Sequence, residues 1–160
     1  MADLNEFSWE VKLFLKSYPW RRINPAPWAP LKKPLSECKL ALVSSAALVM
    51  PEQAPFDPGV RGGDPSFRFI DNDVDVRDLI ETHPSHHFDH SGLAQDLNLA
   101  FPLDRAHELV EWGRIGSLNY RHLSLLGAIT APGRLIKETA PQAARCLVED
   151  GVDVALLCPV

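Results

Sequence analysis

The chain lacks the marks of several large protein classes. No apolar run approaches the ~18 residues of a membrane helix, so we expect no membrane partner. No basic segment precedes an apolar stretch near residue 1, so no secretory signal is expected. The net charge is −5, which disfavours nucleic acid as a partner. The glycine patterns of dinucleotide-binding and P-loop proteins are absent, so nucleotide binding has no support.

Cysteine is also scarce. Its three positions are unclustered and lie in apolar segments: Cys38, Cys146 and Cys158. This pattern is typical of reduced, buried thiols in a cytoplasmic protein. The chain is 46% hydrophobic over 160 residues, which is enough for an ordinary core and too apolar for disorder.

Residues 1–36 are predicted to form an N-terminal helix and an arm rich in proline and tryptophan. Apolar residues at helical spacing give the helix one apolar face: Leu4, Phe7, Val11, Phe14 and Tyr18. Pro19 is expected to end the helix. Five prolines between residues 19 and 36 exclude helix and central strand. Trp20 and Trp28 indicate that the arm packs on the domain or on a partner subunit.

Residues 37–160 are predicted to form an α/β domain. The segment from Lys39 to Val49 has the unbroken apolar start of a central, buried strand. A long loop at 50–66 and a short strand at 67–70 follow. Pro102 is expected in the first turn of a helix that ends at Gly113, and 115–126 is ambiguous.

Residues 132–150 are predicted to be helical in two pieces. Thr139-Ala140-Pro141-Gln142 has the pattern of a capping box, and Gly151 ends the helix. The apolar residues from 152 onward predict a strand buried on both faces. Strand, helix and strand in this order predict an open, mostly parallel sheet flanked by helices.

Polar side chains at the carboxyl ends of these strands are the first candidate site residues. Ser44 and Ser45 end the first strand, and Cys158 lies near the end of the last one. Ligands of open α/β sheets bind outside the carboxyl ends of the strands. We therefore expect Ser44 and Ser45 to bind substrate.

The segment Gly62-Gly63-Asp64-Pro65-Ser66-Phe67-Arg68 is a second candidate. Its glycines let the backbone approach a ligand, and Arg68 suits a substrate carboxylate or an ion pair with Asp64. We therefore count Asp64 and Arg68 among the expected substrate-binding residues. An ordinary turn entering a strand explains the same segment equally well.

Histidines supply the remaining candidates. The segment from His83 to His90 contains four histidines and Asp89, but it lacks the zinc-enzyme pattern H-E-x-x-H. Because histidine titrates near neutral pH, we favour an acid/base role for a histidine of this cluster over a metal site, with His90 and the adjacent Asp89 as the catalytic candidates. His122 is a further catalytic candidate, although a lone histidine is more often a structural hydrogen-bonding residue. A loop in which the histidines only form hydrogen bonds remains the alternative.

Several strings in a fixed order resemble the selenoprotein B component of the glycine, sarcosine, betaine and D-proline reductases, closest to the D-proline type. They span roughly residues 28–160: Pro34-Leu35-Ser36-Glu37, Leu40 to Ala46, Pro55-Phe56-Asp57, Gly63 to Arg68, His87 to His90, Asp96-Leu97-Asn98, Phe101 to Arg105, Gly113 to Gly116, Thr139-Ala140-Pro141 and Asp150 to Asp153.

The resemblance implies a reductase that cleaves a C–N bond of a small amino acid, with a disulfide/dithiol electron couple. It implies an oligomer with a partner subunit whose pyruvoyl group holds the substrate, and no cofactor bound to this chain. It also implies a selenocysteine just after Val160, so that the domain is incomplete at its C-terminus, with Cys158 near the reacting position. Selenols ionise more readily than thiols, which suits a nucleophile at neutral pH.

Two alternatives stay open. The first is a metal-dependent enzyme that uses the His83–His90 cluster, which a metal analysis would reveal. The second is a non-catalytic binding protein whose Trp20 and Trp28 arm docks a partner.

Overall fold

The computed structural model describes residues 7–18, 22–85 and 90–160. Contacts group the chain into two units, Met1–Pro30 and Leu31–Val160. The expected division after residue 36 stays a prediction.

Helix α1, Trp9–Ser17, is the regular element of the first unit. The hydroxyl of Ser8 caps it by accepting a hydrogen bond from the backbone N–H of Val11. The predicted helix is therefore confirmed within the described range, whereas Leu4, Pro19 and Trp20 lie outside it. Trp28 of the arm is exposed in the structure.

The second unit is built on strand β1, Lys39–Ser44. It pairs in parallel with β5 (Ser117–Leu118), β6 (Arg121–Leu125) and β7 (Val154–Cys158). Strand β7 lies on the opposite side of β1 from β5 and β6, because it pairs with residues of β1 that also pair with β5 or β6: Leu40, Val43 and Ser44. Strand β3, Phe67–Asp71, adds to β6 in antiparallel orientation. The predicted open, mostly parallel sheet is confirmed.

The helices and short strands lie around this sheet. They are β2 (Leu48–Val49), β4 (Ile80–Glu81), α2 (His90–Gln95), α3 (Leu103–Glu111) and α4 (Ala140–Glu149), with 3₁₀ turns at Leu35–Glu37, Val76–Asp78 and Leu97–Leu99. Strands β2 and β4 form their own antiparallel pair. Among the described residues, no helix has the length and apolar character that crossing a membrane requires.

The core lies on one face of β1. Leu40 and Leu42 of β1 pack in one buried cluster with Phe101, Leu103 and Ala106 from α3 and the residues before it. The expectation of a central, buried first strand is thus confirmed. Gly113 ends α3 with a φ of 65°, a conformation that glycine adopts without strain.

The expectation that the last strand is buried on both faces is wrong. Strand β7 forms in parallel to β1 as predicted, but Leu156 is 44% and Leu157 68% exposed. The physical reason is that β7 lies at an edge of the sheet. Helix α4, which precedes it, buries only Ala143 within the structure.

The capping box predicted at Thr139 is also wrong. Thr139 has helical φ and ψ and its side chain makes no capping hydrogen bond, because a π-helical turn, Leu135–Thr139, runs directly into α4. Pro141 lacks an N–H and its ring crowds the carbonyl four residues earlier. A widened turn at this point accommodates both effects.

Candidate functional site

One row of side chains crosses the sheet near the carboxyl ends of the parallel strands. Ser44 of β1 pairs with Ser124 of β6 and with Cys158 of β7, and Ser124 pairs in turn with Arg68 of β3. Directly paired residues place their side chains on the same face of a sheet. The structure thus brings three predicted site residues, Ser44, Arg68 and Cys158, into one row.

Within the row, the two serines are fully buried. The hydroxyl of Ser44 accepts a hydrogen bond from the backbone N–H of Ala46 at 3.2 Å. The hydroxyl of Ser124 is buried and has no hydrogen-bond partner among the residues that the structure describes. A polar residue between Leu123 and Leu125 in an apolar strand is the sequence signal that would have found Ser124.

Ser45 holds the segment after β7. Its hydroxyl accepts a hydrogen bond from the backbone N–H of Val160 at 2.9 Å, and its backbone N–H donates to the carbonyl of Cys158 at 3.1 Å. Gly127 donates its N–H to the carbonyl of Ser45 at 2.8 Å. A Cβ at Gly127 would lie 3.0 Å from the Ser45 carbonyl oxygen and 3.1 Å from that of Val160, so glycine permits this close approach.

The thiol of Cys158 is half-buried, and burial raises its pKa. A reactive thiol needs the opposite shift, which neighbouring cations or a helix N-terminus produce. The surroundings of Cys158 therefore favour the neutral thiol.

Asp64 organises the glycine loop. Its carboxylate accepts hydrogen bonds from the backbone N–H groups of Asp57 and Ser66 at 3.0 and 2.9 Å. Burial opposes ionisation, but hydrogen bonds from Ser66 and Asp57 prevail and lower the pKa of Asp64. The loop backbone thus occupies the carboxylate that was expected to bind substrate.

The guanidinium of Arg68 is likewise bound by groups of the neighbouring loop. It donates to the carbonyls of Ala54 at 3.0 Å and Pro55 at 3.1 Å, and to the Ser66 hydroxyl at 2.8 Å. It also lies 4.4 Å from the centre of the Phe56 ring. These contacts support the reading of this segment as a turn entering a strand.

His122 is the second residue of β6 and is fully buried. Its Nδ1 accepts a hydrogen bond from the backbone N–H of Leu42 at 3.0 Å, which leaves Nε2 to donate to Oδ1 of Asn72 at 3.2 Å. Burial lowers the pKa of His122 to about 4. The neutral ring links two segments of the core, and this position is typical of a structural histidine.

His90 lies in the wall of a cavity of about 530 Å³. Its Nδ1 is 2.7 Å from Oε2 of Glu81, and its Nε2 is 2.9 Å from the carbonyl oxygen of Ser85. Both neighbours are acceptors, so only the doubly protonated ring donates to both. Glu81, a carboxylate just before the histidine-rich segment, was not predicted from the sequence.

The predicted acid Asp89 lies outside the described residues, as do His86 and His87. In residues 7–18, 22–85 and 90–160, no group of three or more metal-binding side chains comes together. Burial lowers the pKa of His83, the first histidine of the cluster. The metal alternative stays a prediction.

The geometry thus defines an α/β protein with a candidate site along the carboxyl ends of parallel strands. Over 144 residues, 89% of its length, the chain is 33% identical to D-proline reductase subunit gamma of Acetoanaerobium sticklandii. Over 147 residues it is 28% identical to the sarcosine reductase complex component B subunit beta of Peptoclostridium acidaminophilum. No family model and no solved structure matches the chain.

The chain belongs to the family of reductase B components that these two proteins represent. The matched region covers 57% of the D-proline reductase subunit and 33% of the sarcosine reductase subunit. The predicted resemblance is confirmed at the level of the family. The names of both relatives describe subunits of reductases.

Proposed function

We propose that this chain is a subunit of a reductase complex that cleaves a C–N bond of a small amino acid of the D-proline, sarcosine, glycine or betaine class. The match to D-proline reductase subunit gamma along 89% of the chain carries the proposal. The row of Ser44, Ser124 and Cys158 supports it, because this is where ligands of open α/β sheets bind.

The reaction breaks one C–N bond and takes up two electrons and two protons. We propose that a dithiol supplies both and becomes a disulfide. A pyruvoyl group on a partner subunit would supply an electrophilic carbonyl for the nitrogen of glycine, sarcosine or D-proline; the quaternary nitrogen of betaine cannot add to it. We propose a selenol as the nucleophile; in this chain, Ser45 and Gly127 would support its position, since they hold the backbone of Cys158 and Val160 at the strand ends.

The test is an activity assay of the native complex. The chain is tagged at its N-terminus in its native host and purified with its partners, and oxidation of dithiothreitol is measured with D-proline, sarcosine, glycine and betaine in parallel. We expect oxidation with one of the four substrates, one disulfide formed per C–N bond broken. Treatment with borohydride, which reduces a pyruvoyl carbonyl, should abolish it.

A purified complex that oxidises the dithiol equally without substrate contradicts the proposal. Activity that is retained after borohydride treatment would support the reductase proposal but contradict the proposal of a pyruvoyl partner. Stoichiometric zinc or iron in the purified chain would instead favour the metal alternative.

A further inference from the structure

The cavity beside His90 has an apolar floor. Val76, Leu79 and Leu93 line it and are each at most 6% exposed. A cavity of about 530 Å³ is within the size range of small-molecule sites, which is roughly 300–1,000 Å³. Such a floor favours a ligand with an apolar body.

The two basic side chains of the wall are already engaged. Arg77 donates two hydrogen bonds to the carboxylate of Asp75, and His90 lies against Glu81. The hydrogen bond from Arg77 lowers the pKa of Asp75 to about 2, so this pair stays charged and self-neutralised at neutral pH.

At the other end of the cavity, Asn98 bridges two carboxylates. Its side-chain N–H₂ donates to Oδ1 of Asp96 at 3.0 Å and to Oδ2 of Asp104 at 2.9 Å. Hydrogen bonds from Asn98 lower the pKa of Asp96. Within the part of the chain that the structure describes, Oδ2 of Asp96 and Oδ1 of Asp104 accept no hydrogen bond.

We propose that this cavity binds a small organic cation, a primary amine with a compact apolar body. The apolar floor takes the body, and the spare oxygens of Asp96 and Asp104 take the ammonium group. The excess of carboxylates in the wall disfavours anions. The site is separate from the row of Ser44, Ser124 and Cys158, and it does not depend on the reductase proposal.

Isothermal titration calorimetry on the full chain tests this with three probes of similar shape: n-butylammonium, n-butanol and butyrate. We expect n-butylammonium to bind about tenfold more tightly than n-butanol, and butyrate to bind more weakly than n-butanol. Equal affinities, or no measurable heat with n-butylammonium, would overturn the proposal.

Variants locate the site. Asp104→Asn keeps an acceptor for Asn98 and should weaken n-butylammonium about fivefold without changing n-butanol. Glu149→Gln removes one exposed negative charge from α4, outside the cavity, and should change neither. Ala94→Leu narrows the cavity and should weaken the binding of both n-butylammonium and n-butanol. The assignment is contradicted if Asp104→Asn or Ala94→Leu leaves the affinity for n-butylammonium unchanged. It is also contradicted if Glu149→Gln weakens that affinity as much as Asp104→Asn does.

Discussion

Buried polar residues distinguish this chain at the scale of single side chains. His122, Ser44 and Ser124 are fully buried in the sheet, and Asp64 is nearly so. The sequence singled out three of these as site residues for different reasons: Ser44 ends a predicted strand, Asp64 lies in a glycine-rich loop, and His122 is a histidine before an apolar stretch. It could not show that His122 accepts a hydrogen bond from the backbone of Leu42, since that partner is distant in the chain.

The pH dependence of stability tests the buried state of His122. Its folded pKa of about 4 lies below the ordinary 6.5, so between these values the unfolded chain takes up a proton that the folded chain refuses. Stability is therefore lost as the pH falls from about 6.5 to 4, by at most about 3 kcal/mol. Urea unfolding across this range measures the loss.

His122→Gln should remove most of this dependence, because glutamine keeps a polar side chain but does not titrate. His107→Gln removes the neighbouring histidine that also lowers the pKa of His122, and it should retain most of the dependence because burial is the larger cause. An identical slope in the native chain and in His122→Gln would show that other groups dominate.

The pair of Arg121 and Asp150 fixes α4 to the sheet. Arg121 donates to both carboxylate oxygens of Asp150 at 2.8 and 2.9 Å, and this lowers the pKa of Asp150 to about 2. Asp150→Asn should destabilise the fold by about 2–3 kcal/mol, because Arg121 then loses a partly buried partner. Thermal unfolding measures the change.

Asp153→Asn is the matched control. Asp153 pairs with Lys33 at 2.7 Å, but both side chains are substantially exposed. We expect a cost of at most about 1 kcal/mol, since exposed pairs are worth little. Equal costs at both positions would contradict a special role for Asp150.

At the scale of elements, the sequence predicted most strands and helices because their periodicity and their Gly and Pro boundaries are local signals. The β1, β3 and α3 predictions are of this kind. The π turn before α4 was missed because it follows from how Pro141 fits a continuous helix. The exposure of β7 was missed because apolar composition does not reveal whether a strand lies at an edge.

The turn after β1 is strained at one residue. Ala47 has a φ of 55°, a region that residues with a Cβ disfavour. Ala47→Gly should leave the fold unchanged or stabilise it by up to about 1 kcal/mol. Ala46→Gly, its buried neighbour, should destabilise the fold by about 1 kcal/mol or more, as measured by chemical unfolding. A larger cost at Ala47 than at Ala46 would contradict the strain.

At the scale of the molecule, β7 presents an apolar edge. Ala155, Leu156 and Leu157 are all exposed, and an exposed apolar edge strand promotes association. We expect the isolated chain to self-associate as its concentration rises, and Leu157→Lys to reduce this. Val148→Lys adds the same charge on α4 and should have less effect. Sedimentation velocity that shows a monomer at all concentrations would contradict the expectation.

The central claim is that the reductase reaction takes place at the carboxyl ends of the strands, beside Ser45. The most direct measurement is the turnover of the purified complex with Ser45→Ala, followed by substrate-dependent dithiol oxidation, against Ser117→Ala at the opposite end of the sheet. We predict that Ser45→Ala lowers kcat by about tenfold or more at unchanged thermal stability, because the segment after β7 loses its anchor. Ser117→Ala should match the native complex. Full activity of Ser45→Ala would contradict the account.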